Sequence, residues 1–475
     1  MNLGRDRGLL LSWLFLFGVV RRSAVDVYEL EREKSIARES AVLVRVLLPS
    51  ELSDDDPLAE LIGLAKTAGA TVVAGVTQRR ESPDVSTCLG KGKVDEVKLL
   101  VETHEADVVI FDNDLSPGQT RNLEKALGCK VLDRTELILD IFASNARTYE
   151  ARLAVELAQL EYSLPRLKRM WTHLSRIKMG IGMRGPGEKQ LEVDRRLVEK
   201  RIHDLRGELQ SVERRKERLV ASRGDHMTVS LVGYTNAGKS TLMNALTGAD
   251  VLAADKLFAT LDTRTRKWQL PNWGPVLLSD TVGFIRDLPH HLIASFKATL
   301  EEAHRADLLL HVADVSNPAV LDQISAVYQV LQELHIDEKD TILVLNKVDQ
   351  LDAPERLEGV WRRYPHAVPI SAARRQGLDK LLWAVSDALS RNFLDLDVET
   401  GVDNGRLMAY LAAHGEVLSR RFNDTRVIIH CRLPQKYLGR VQEPGTNVRT
   451  HQHDQAGGVP DLIAFAPPAA PPSEP

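Results

Sequence analysis

The sequence predicts a multidomain α/β protein, and three observations carry that expectation. Apolar runs alternate with helical stretches from Ala41 to about residue 145, and the same alternation returns from Met227 to about Asn392. Between them the apolar spacing changes to 4, 3, 4, 3, the seam of packed helices. Strands separated by helices imply mostly parallel sheets.

Composition sets the bounds. A chain of 475 residues is long enough for three or four domains. With 43% apolar and 27% charged residues it reads as an ordinary globular protein. The formal net charge of -4 argues against a generally basic nucleic-acid binder and leaves local patches open. Cys88, Cys129 and Cys431 form no CxxC pair, so neither a disulfide framework nor a zinc site is expected, and a reducing, cytoplasmic setting fits. Residues 9–20, LLLSWLFLFGVV, are apolar but well short of the ~20 residues needed to span a bilayer. Residues 1–25 are therefore read as a non-native or disordered extension, with no stable membrane association; a membrane-associating extension is the alternative.

In chain order, AVLVRVLL, TVVAGVT, ADVVIFD and KVLD are strands of an N-terminal α/β domain, expected over 26–148. Leu153, Leu157, Leu160, Leu164, Leu167, Trp171 and Leu174 form one seam, and Val198, Ile202, Leu205, Leu209 and Val212 a second. Two seams joined by one loop predict an antiparallel helical hairpin over 149–222. Pro165 removes a helical hydrogen bond, so a kink or restart is expected near Ser163. TVSLVGY, PVLLSDTVG, ADLLLHVADVS, TILVLNKVD and AVPISA then form a third unit over 226–392. A smaller unit, 398–452, holds one helical pattern, Leu407 to Leu418, and one clear strand, RVIIHCRL. The Pro/Ala-rich tail, 453–475, is expected to be disordered.

The loop joining the two seams is basic. Residues 166–189 carry seven Lys or Arg (Arg166, Lys168, Arg169, Arg176, Lys178, Arg184, Lys189) against one acid, Glu188. GIGMRGPGE, with four glycines and a proline, cannot pack as regular structure. A long hairpin with such a tip suits contact with a phosphate backbone, and Arg176, Lys178, Arg184 and Lys189 are the candidate RNA-binding residues. A solvated loop with scattered charge is the plainer reading.

GYTNAGKST at 233–241 lies between an apolar strand and a helix and fits G-x-x-x-x-G-K-[ST] through Gly233, Gly238, Lys239 and Ser240. Glycines let backbone N–H groups turn toward phosphates, the lysine neutralises the β and γ oxygens, and the hydroxyl ligates Mg2+. Tyr234, Thr235, Asn236, Ala237 and Thr241 complete the nucleotide loop. Asn346, Lys347 and Asp349 follow the strand TILVL, and the Asp349 carboxylate can accept two hydrogen bonds from guanine, whose edge adenine does not reproduce; the nucleotide is thus GTP or GDP. Ser371, Ala372 and Ala373 are placed to offer a backbone N–H to the guanine O6. Asp280, Thr281, Val282 and Gly283 form DTVG, with Asp280 in an outer-sphere Mg2+ role and the Gly283 N–H facing the γ-phosphate. Thr260, in FATLD, is placed to close over Mg2+. Lys239, Thr260 and Gly283 are the candidate catalytic residues. All these motifs occur in the order and spacing of a Ras-like P-loop GTPase domain.

Phe284 stands where many such domains carry a water-orienting glutamine, so intrinsic turnover is expected to be slow and partner-dependent. Asn236 resembles the asparagine that ligates K+ in a subset of this superfamily; an asparagine that only tolerates the loop backbone is the alternative.

GMRGPGEKQLEVDRR (182–196), LGKGKVDEV (89–97), LPRLKRMW (164–171) and DTVGFIRDLP (280–289) together resemble the HflX family of ribosome-associated GTPases. The resemblance implies a Ras-like domain preceded by a small α/β domain and helical hairpin and followed by a small α+β domain. It implies binding to the large (50S) ribosomal subunit and its 23S rRNA, with GTP-dependent splitting of stalled or idle 70S ribosomes under stress and hydrolysis stimulated by the ribosome. A GTP-dependent 50S assembly factor is the competing expectation. Lys189 stands where many members have Thr, and Val193 where Thr is common. A monomer is expected.

Overall fold

The computed structural model describes residues 36–49, 56–170, 186–221, 227–248, 257–258, 264–270, 274–286, 302–336, 339–351, 354–391, 393–423 and 425–451. They belong to two compact units, 1–389 and 390–475. The apolar stretch 9–20 and the Pro/Ala-rich tail lie outside the described residues, among which no helix is long and apolar enough to cross a membrane.

The first sheet is parallel throughout, in the order β2-β1-β3-β4, from β1 (Ser40–Leu47), β2 (Thr71–Arg79), β3 (Val108–Phe111) and β4 (Lys130–Leu132). Alternation along β1 divides two cores. Ala41 and Leu43 pack with the helices Ala59–Ala68 and Arg134–Asn145 on one face. Val42, Val44 and Val46 pack with Lys91–His104 and Pro117–Leu127 on the other. A strand covered on both faces has no polar side, which is why β1 reads as a nearly continuous apolar run. Helix starts are locally encoded: Ser116 and Gln119 form a capping box around Pro117, and the Asp133 carboxylate accepts from the Glu136 N–H.

Helices Tyr149–Met170 and Pro186–Ala221 form the hairpin. They are antiparallel: Tyr149 donates to Glu208 at 2.6 Å, while Arg201, nearer the loop, donates to Glu156 at 2.7 Å. Leu153, Leu157, Ile202, Leu205 and Leu209 are buried along the seam, with Leu160, Leu164 and Val198 packed against them. The expected restart near Ser163 does not occur, since the helix continues through Pro165. The buried Ser163 hydroxyl instead donates back to the Gln159 carbonyl at 2.5 Å, a local bond compatible with continued helix. Leu174 and Trp171 fall outside the described residues, as do Arg176, Lys178 and Arg184.

The nucleotide-loop domain of the first unit carries the sheet β10-β9-β8-β5-β7-β6. Its strands are β5 (Thr228–Gly233), β6 (Arg264–Leu270), β7 (Gly274–Asp280), β8 (Leu308–Asp314), β9 (Thr341–Asn346) and β10 (Val368–Pro369). All pair in parallel except β6, which runs antiparallel to β7 with Arg264 opposite Asp280. β6 is absent from the sequence reading because RTRKWQL is mostly polar; only the buried Trp268 and Leu270 mark its inner face. From β5 the chain leaves to one edge and returns to the other, making its C-terminal end a topological switch point, where open α/β sheets form their ligand crevice.

The second unit is an antiparallel sheet in the order β12-β13-β11-β14, from β11 (Phe393–Gly401), β12 (Glu416–Asn423), β13 (Arg426–Pro434) and β14 (Asn447–Thr450). Its helix spans Gly405–His414 rather than continuing to Leu418. A Cβ on Gly415 would lie 2.8 Å from the Arg432 carbonyl, so the chain passes close to β13 there, and Glu416 already belongs to β12.

Leu205 is fully buried in the hairpin seam, so Leu205→Ala is expected to destabilise the protein by about 2–5 kcal/mol. Urea unfolding followed by circular dichroism tests this; an unchanged midpoint would mean that the seam contributes no stability.

Candidate functional site

The loop after β5 is shaped by two glycines that no other residue can replace. Gly233 has φ of 148° and a Cβ on it would lie 2.2 Å from the Val312 carbonyl oxygen of β8. Gly238 has φ of 90°, and its Cβ would meet Asn346 Nδ2 at 2.3 Å. Asn236, at φ of 60°, is exposed at the crest, a left-handed conformation that asparagine tolerates better than most residues. The helix Lys239–Thr247 begins directly after Gly238, aiming its positive end at the loop.

Lys239 is buried, and its Nζ donates to the Gly233 and Tyr234 carbonyls at 3.0 and 2.8 Å. Burial lowers its pKa from the usual lysine range to about 8, opposed by the nearby Asp280 carboxylate. Ser240 donates its hydroxyl to Asp280 Oδ2 at 2.6 Å, and Asp280 is fully buried at the end of β7. A hydroxyl and a carboxylate form an oxygen-only donor set, which suits a hard cation such as Mg2+. Thr281 is buried and donates to the Leu231 carbonyl at 2.7 Å, locking DTVG to β5, beside the buried Val282. Gly283 approaches so closely that its Cβ would lie 2.7 Å from Thr235 Cα and 3.1 Å from Lys239 Nζ.

Asn346 and the 371–373 loop converge on the same loop. Asn346 donates from Nδ2 to the Ala237 carbonyl at 2.9 Å and accepts at Oδ1 from the Ala372 N–H at 3.0 Å. One buried amide thus ties the nucleotide loop to Ser371 and Ala372, both buried, while Ala373 is exposed. Lys347, at φ of 65°, pairs with Asp314 at 2.7 Å. Asp349 lies 3.4 Å from the exposed Arg374 guanidinium. Thr241 follows in the helix, half-buried. Thr260 lies outside the described residues. Lys189 falls on the helix Pro186–Ala221, so the basic tip is partly helical at its distal side. Arg166, counted with the basic segment, turns inward: it pairs with buried Asp133 at 2.7 Å, donates to the Leu115 carbonyl at 3.0 Å and stacks over the Tyr162 ring.

A second set of contacts escaped the sequence. The Tyr234 hydroxyl donates to Glu60 Oε2 at 3.0 Å and accepts from the Arg286 N–H at 2.8 Å. Glu60 is also bonded by Arg134, a buried guanidinium that pairs with Asp112 at 2.5 Å and donates to the Arg286 carbonyl at 3.1 Å. The two carboxylates hold Arg134 firmly charged despite its burial. Phe284 is buried in the same core as Leu137 and Ile138, and its backbone brackets the loop: Thr235 N–H donates to its carbonyl at 2.6 Å, and its N–H donates to Gly233 at 3.1 Å. Phe258, two residues before Thr260, donates its N–H to Thr235 Oγ1 at 2.7 Å, while its carbonyl accepts from Asn145 at 2.9 Å. The nucleotide loop and both flanking segments are therefore bonded to the N-terminal helices. No local pattern announces these pairs, since Tyr234 and Glu60 stand 174 residues apart.

The chain matches three family profiles: the GTP-binding GTPase N-terminal region over residues 55–143, the GTP-binding GTPase middle region over 145–223, and the 50S ribosome-binding GTPase over 228–347. It is 45% identical to a protein named GTPase HflX from Lacrimispora saccharolytica over 407 residues, covering 85% of this chain and 96% of that protein. A GTPase HflX from Magnetococcus marinus is 45% identical, over 86% of this chain and 95% of that protein. The GTPase HflX of Escherichia coli is 46% identical, over 78% of this chain and 88% of that protein. A solved GTP-binding protein from Sulfolobus solfataricus in complex with GDP aligns at 26% identity and a TM-score of 0.40, covering 74% of this chain and 98% of that one.

Tyr234→Phe is expected to release the Arg286 N–H, and amide hydrogen exchange in the peptide holding Arg286 should quicken; unchanged protection would show that the hydroxyl does not hold this segment. Arg134→Met removes the buried cation that Asp112 and Glu60 share, leaving Asp112 to Arg45 and Glu60 to Tyr234, and should cost about 3–5 kcal/mol of stability, read by urea unfolding. A loss below 1 kcal/mol, on the order of a surface pair, would contradict that reading.

Proposed function

Because the chain belongs to the HflX family of GTPases, a GTP-binding and GTP-hydrolysing family, we propose that it binds the 50S subunit in its GTP state and splits stalled or idle 70S ribosomes. The observation that carries the nucleotide half is Asn346, one buried amide joining the phosphate loop at Ala237 to the base-side loop at Ala372. In this reading both loops answer to one guanine nucleotide. Asp349 exchanges its contact with Arg374 for the guanine N1–H and amine, and the Ala372 and Ala373 backbone faces the guanine O6.

Lys239 is held ready by two carbonyls and turns its ammonium to the β and γ oxygens when phosphate arrives. Mg2+ would be held by Ser240 and Thr260, with Asp280 behind, and supplies neutralisation of charge on the phosphates. The Gly283 N–H reports the γ-phosphate. Phe284 carries no hydrogen-bonding side chain and is buried, so it cannot orient water. Hydrolysis is then slow until the ribosome supplies or orders the missing group, with K+ at Asn236 as the candidate for added positive charge. Arg176, Lys178, Arg184 and Lys189 contact the phosphates of 23S rRNA, reading shape more than sequence. The factor acts in the cytoplasm as a monomer.

Lys239→Ala should abolish nucleotide binding, and Asp349→Asn should shift preference from GTP to xanthosine triphosphate; fluorescent-nucleotide titration checks both, and unchanged preference would sink the guanine assignment. Deletion of residues 176–189 should leave GTP binding intact and weaken ribosome pelleting at least tenfold, a loss that phosphate contacts make salt-dependent. The deciding measurement is light scattering of 70S ribosomes with the protein and GTP, a non-hydrolysable analogue, or GDP. A fall with the first two alone supports splitting by the GTP state. No fall, with 50S binding retained, would replace splitting by subunit assembly.

A further inference from the structure

The antiparallel sheet of the second unit has one apolar face and one polar face. Leu396, Val398, Ile429 and Cys431 are buried on the first. On the other, register brings together residues from three neighbouring strands. Asp397 of β11 stands opposite His430 of β13, and His451, just past the end of β14, bonds its N–H to the Asp395 carbonyl. Asp395 and Asp397, two residues apart on one strand, share that face.

The side chains are held in two hydrogen-bonded pairs. His430 Nε2 lies 2.6 Å from Asp395 Oδ1, and His451 Nδ1 lies 2.8 Å from Asp397 Oδ2. The two imidazoles stack, with centroids 3.7 Å apart and planes inclined by 17°. Ligand atoms of Asp397, His430 and His451 all lie within 4.8 Å of one another. The residues are half-buried, with side chains 18% to 32% exposed, which leaves an approach from solvent. Arg432 lies 3.9 Å from Asp395, and Arg449 of β14 stands opposite Asp397 in the register.

We propose that Asp397, His430 and His451 form a binding site for a borderline divalent transition metal, with Zn2+ as the type. Two imidazoles and one carboxylate favour Zn2+, Co2+ or Ni2+ over Mg2+ or Ca2+, which take oxygen ligands. Bonds of about 2.0–2.1 Å place neighbouring tetrahedral ligands roughly 3.3 Å apart. The His451–Asp397 pair therefore opens by about half an ångström, and the stacked rings turn apart so that a nitrogen of each faces the ion. Asp395 takes the outer place: it occupies Nε2 of His430 and fixes that ring, the carboxylate–histidine arrangement that raises ligand basicity, and leaves Nδ1 to ligate. Water completes the coordination. The site joins β11, β13 and the segment after β14, so an ion there clamps the C-terminal end of the described chain to the centre of the sheet.

The test uses the full chain, treated with chelator, then saturated with GDP and millimolar Mg2+ so that the nucleotide site is filled. Zn2+ is titrated by calorimetry, and Co2+ by its visible absorption, which reports nitrogen ligation. The expected result is about one equivalent bound, with affinity lowered at least tenfold in His430→Gln and in Asp397→Asn while GDP affinity is unchanged. Asp395→Asn should weaken Zn2+ about tenfold through the ring it orients. Unfolding midpoints without metal establish that the variants fold; added Zn2+ should raise the midpoint of the original chain and not that of His430→Gln. No bound Zn2+ in the original chain, or equal affinity in all variants, would overturn the proposal and leave two ordinary histidine–carboxylate pairs.

Discussion

Arg134 is the group around which the first unit is organised. A guanidinium withdrawn from water needs compensating charge and hydrogen bonds, and Asp112, Glu60 and the Arg286 carbonyl supply them. Those partners come from a strand end, a helix and the segment following DTVG. Satisfying one buried charge thus fixes the N-terminal sheet against the segment that follows DTVG in the nucleotide domain. Arg45, itself buried, pairs with Asp112 from β1 at 3.2 Å and extends the network into the sheet. A network of this kind tolerates little partial rearrangement, because any member that leaves strands another in a low-dielectric interior.

The nucleotide loop is held by similar logic on its other side. Its glycines allow contacts that any Cβ would forbid, with Val312 beneath and Asn346 beside the loop. Asn346 uses one amide on two loops, so the 233–241 loop and the 371–373 loop are mechanically joined. Tyr234 then joins the loop to Glu60, and Phe284, in place of a polar residue, sits in the core shared with the N-terminal helices. The Phe284 ring supplies apolar surface to that core.

The hairpin seams, the parallel sheets and the nucleotide loop were legible because each is encoded in local periodicity or in a short motif. Leu153 and Leu157 face Ile202 and Leu205 as their spacing requires, and Gly233, Gly238, Lys239 and Ser240 stand together because a single turn connects them. β6 was not legible, since RTRKWQL acquires its strand character from pairing with β7 and not from its own composition. The helix after Asn404 was read too long for the converse reason: the apolar pattern runs on past His414, but close packing of Gly415 on β13 redirects the chain into a strand. The sequence counts Arg166 with the basic loop, and only the position of Asp133 shows that it belongs inside.

What the sequence alone determined is therefore the hairpin, the parallel strands, the nucleotide class and the family, which depend on residues within one helix turn, one strand or one loop of each other. What tertiary structure decided is which of those elements answer to one another. Tyr234 meets Glu60, Phe258 meets Asn145, and Asp397 meets His430 and His451 across separations of 174, 113, and, for the last histidine, 54 residues. The physical reason is that buried charges and polar hydrogens are satisfied by whichever partner the packed backbone brings near, and chain spacing carries no record of that choice.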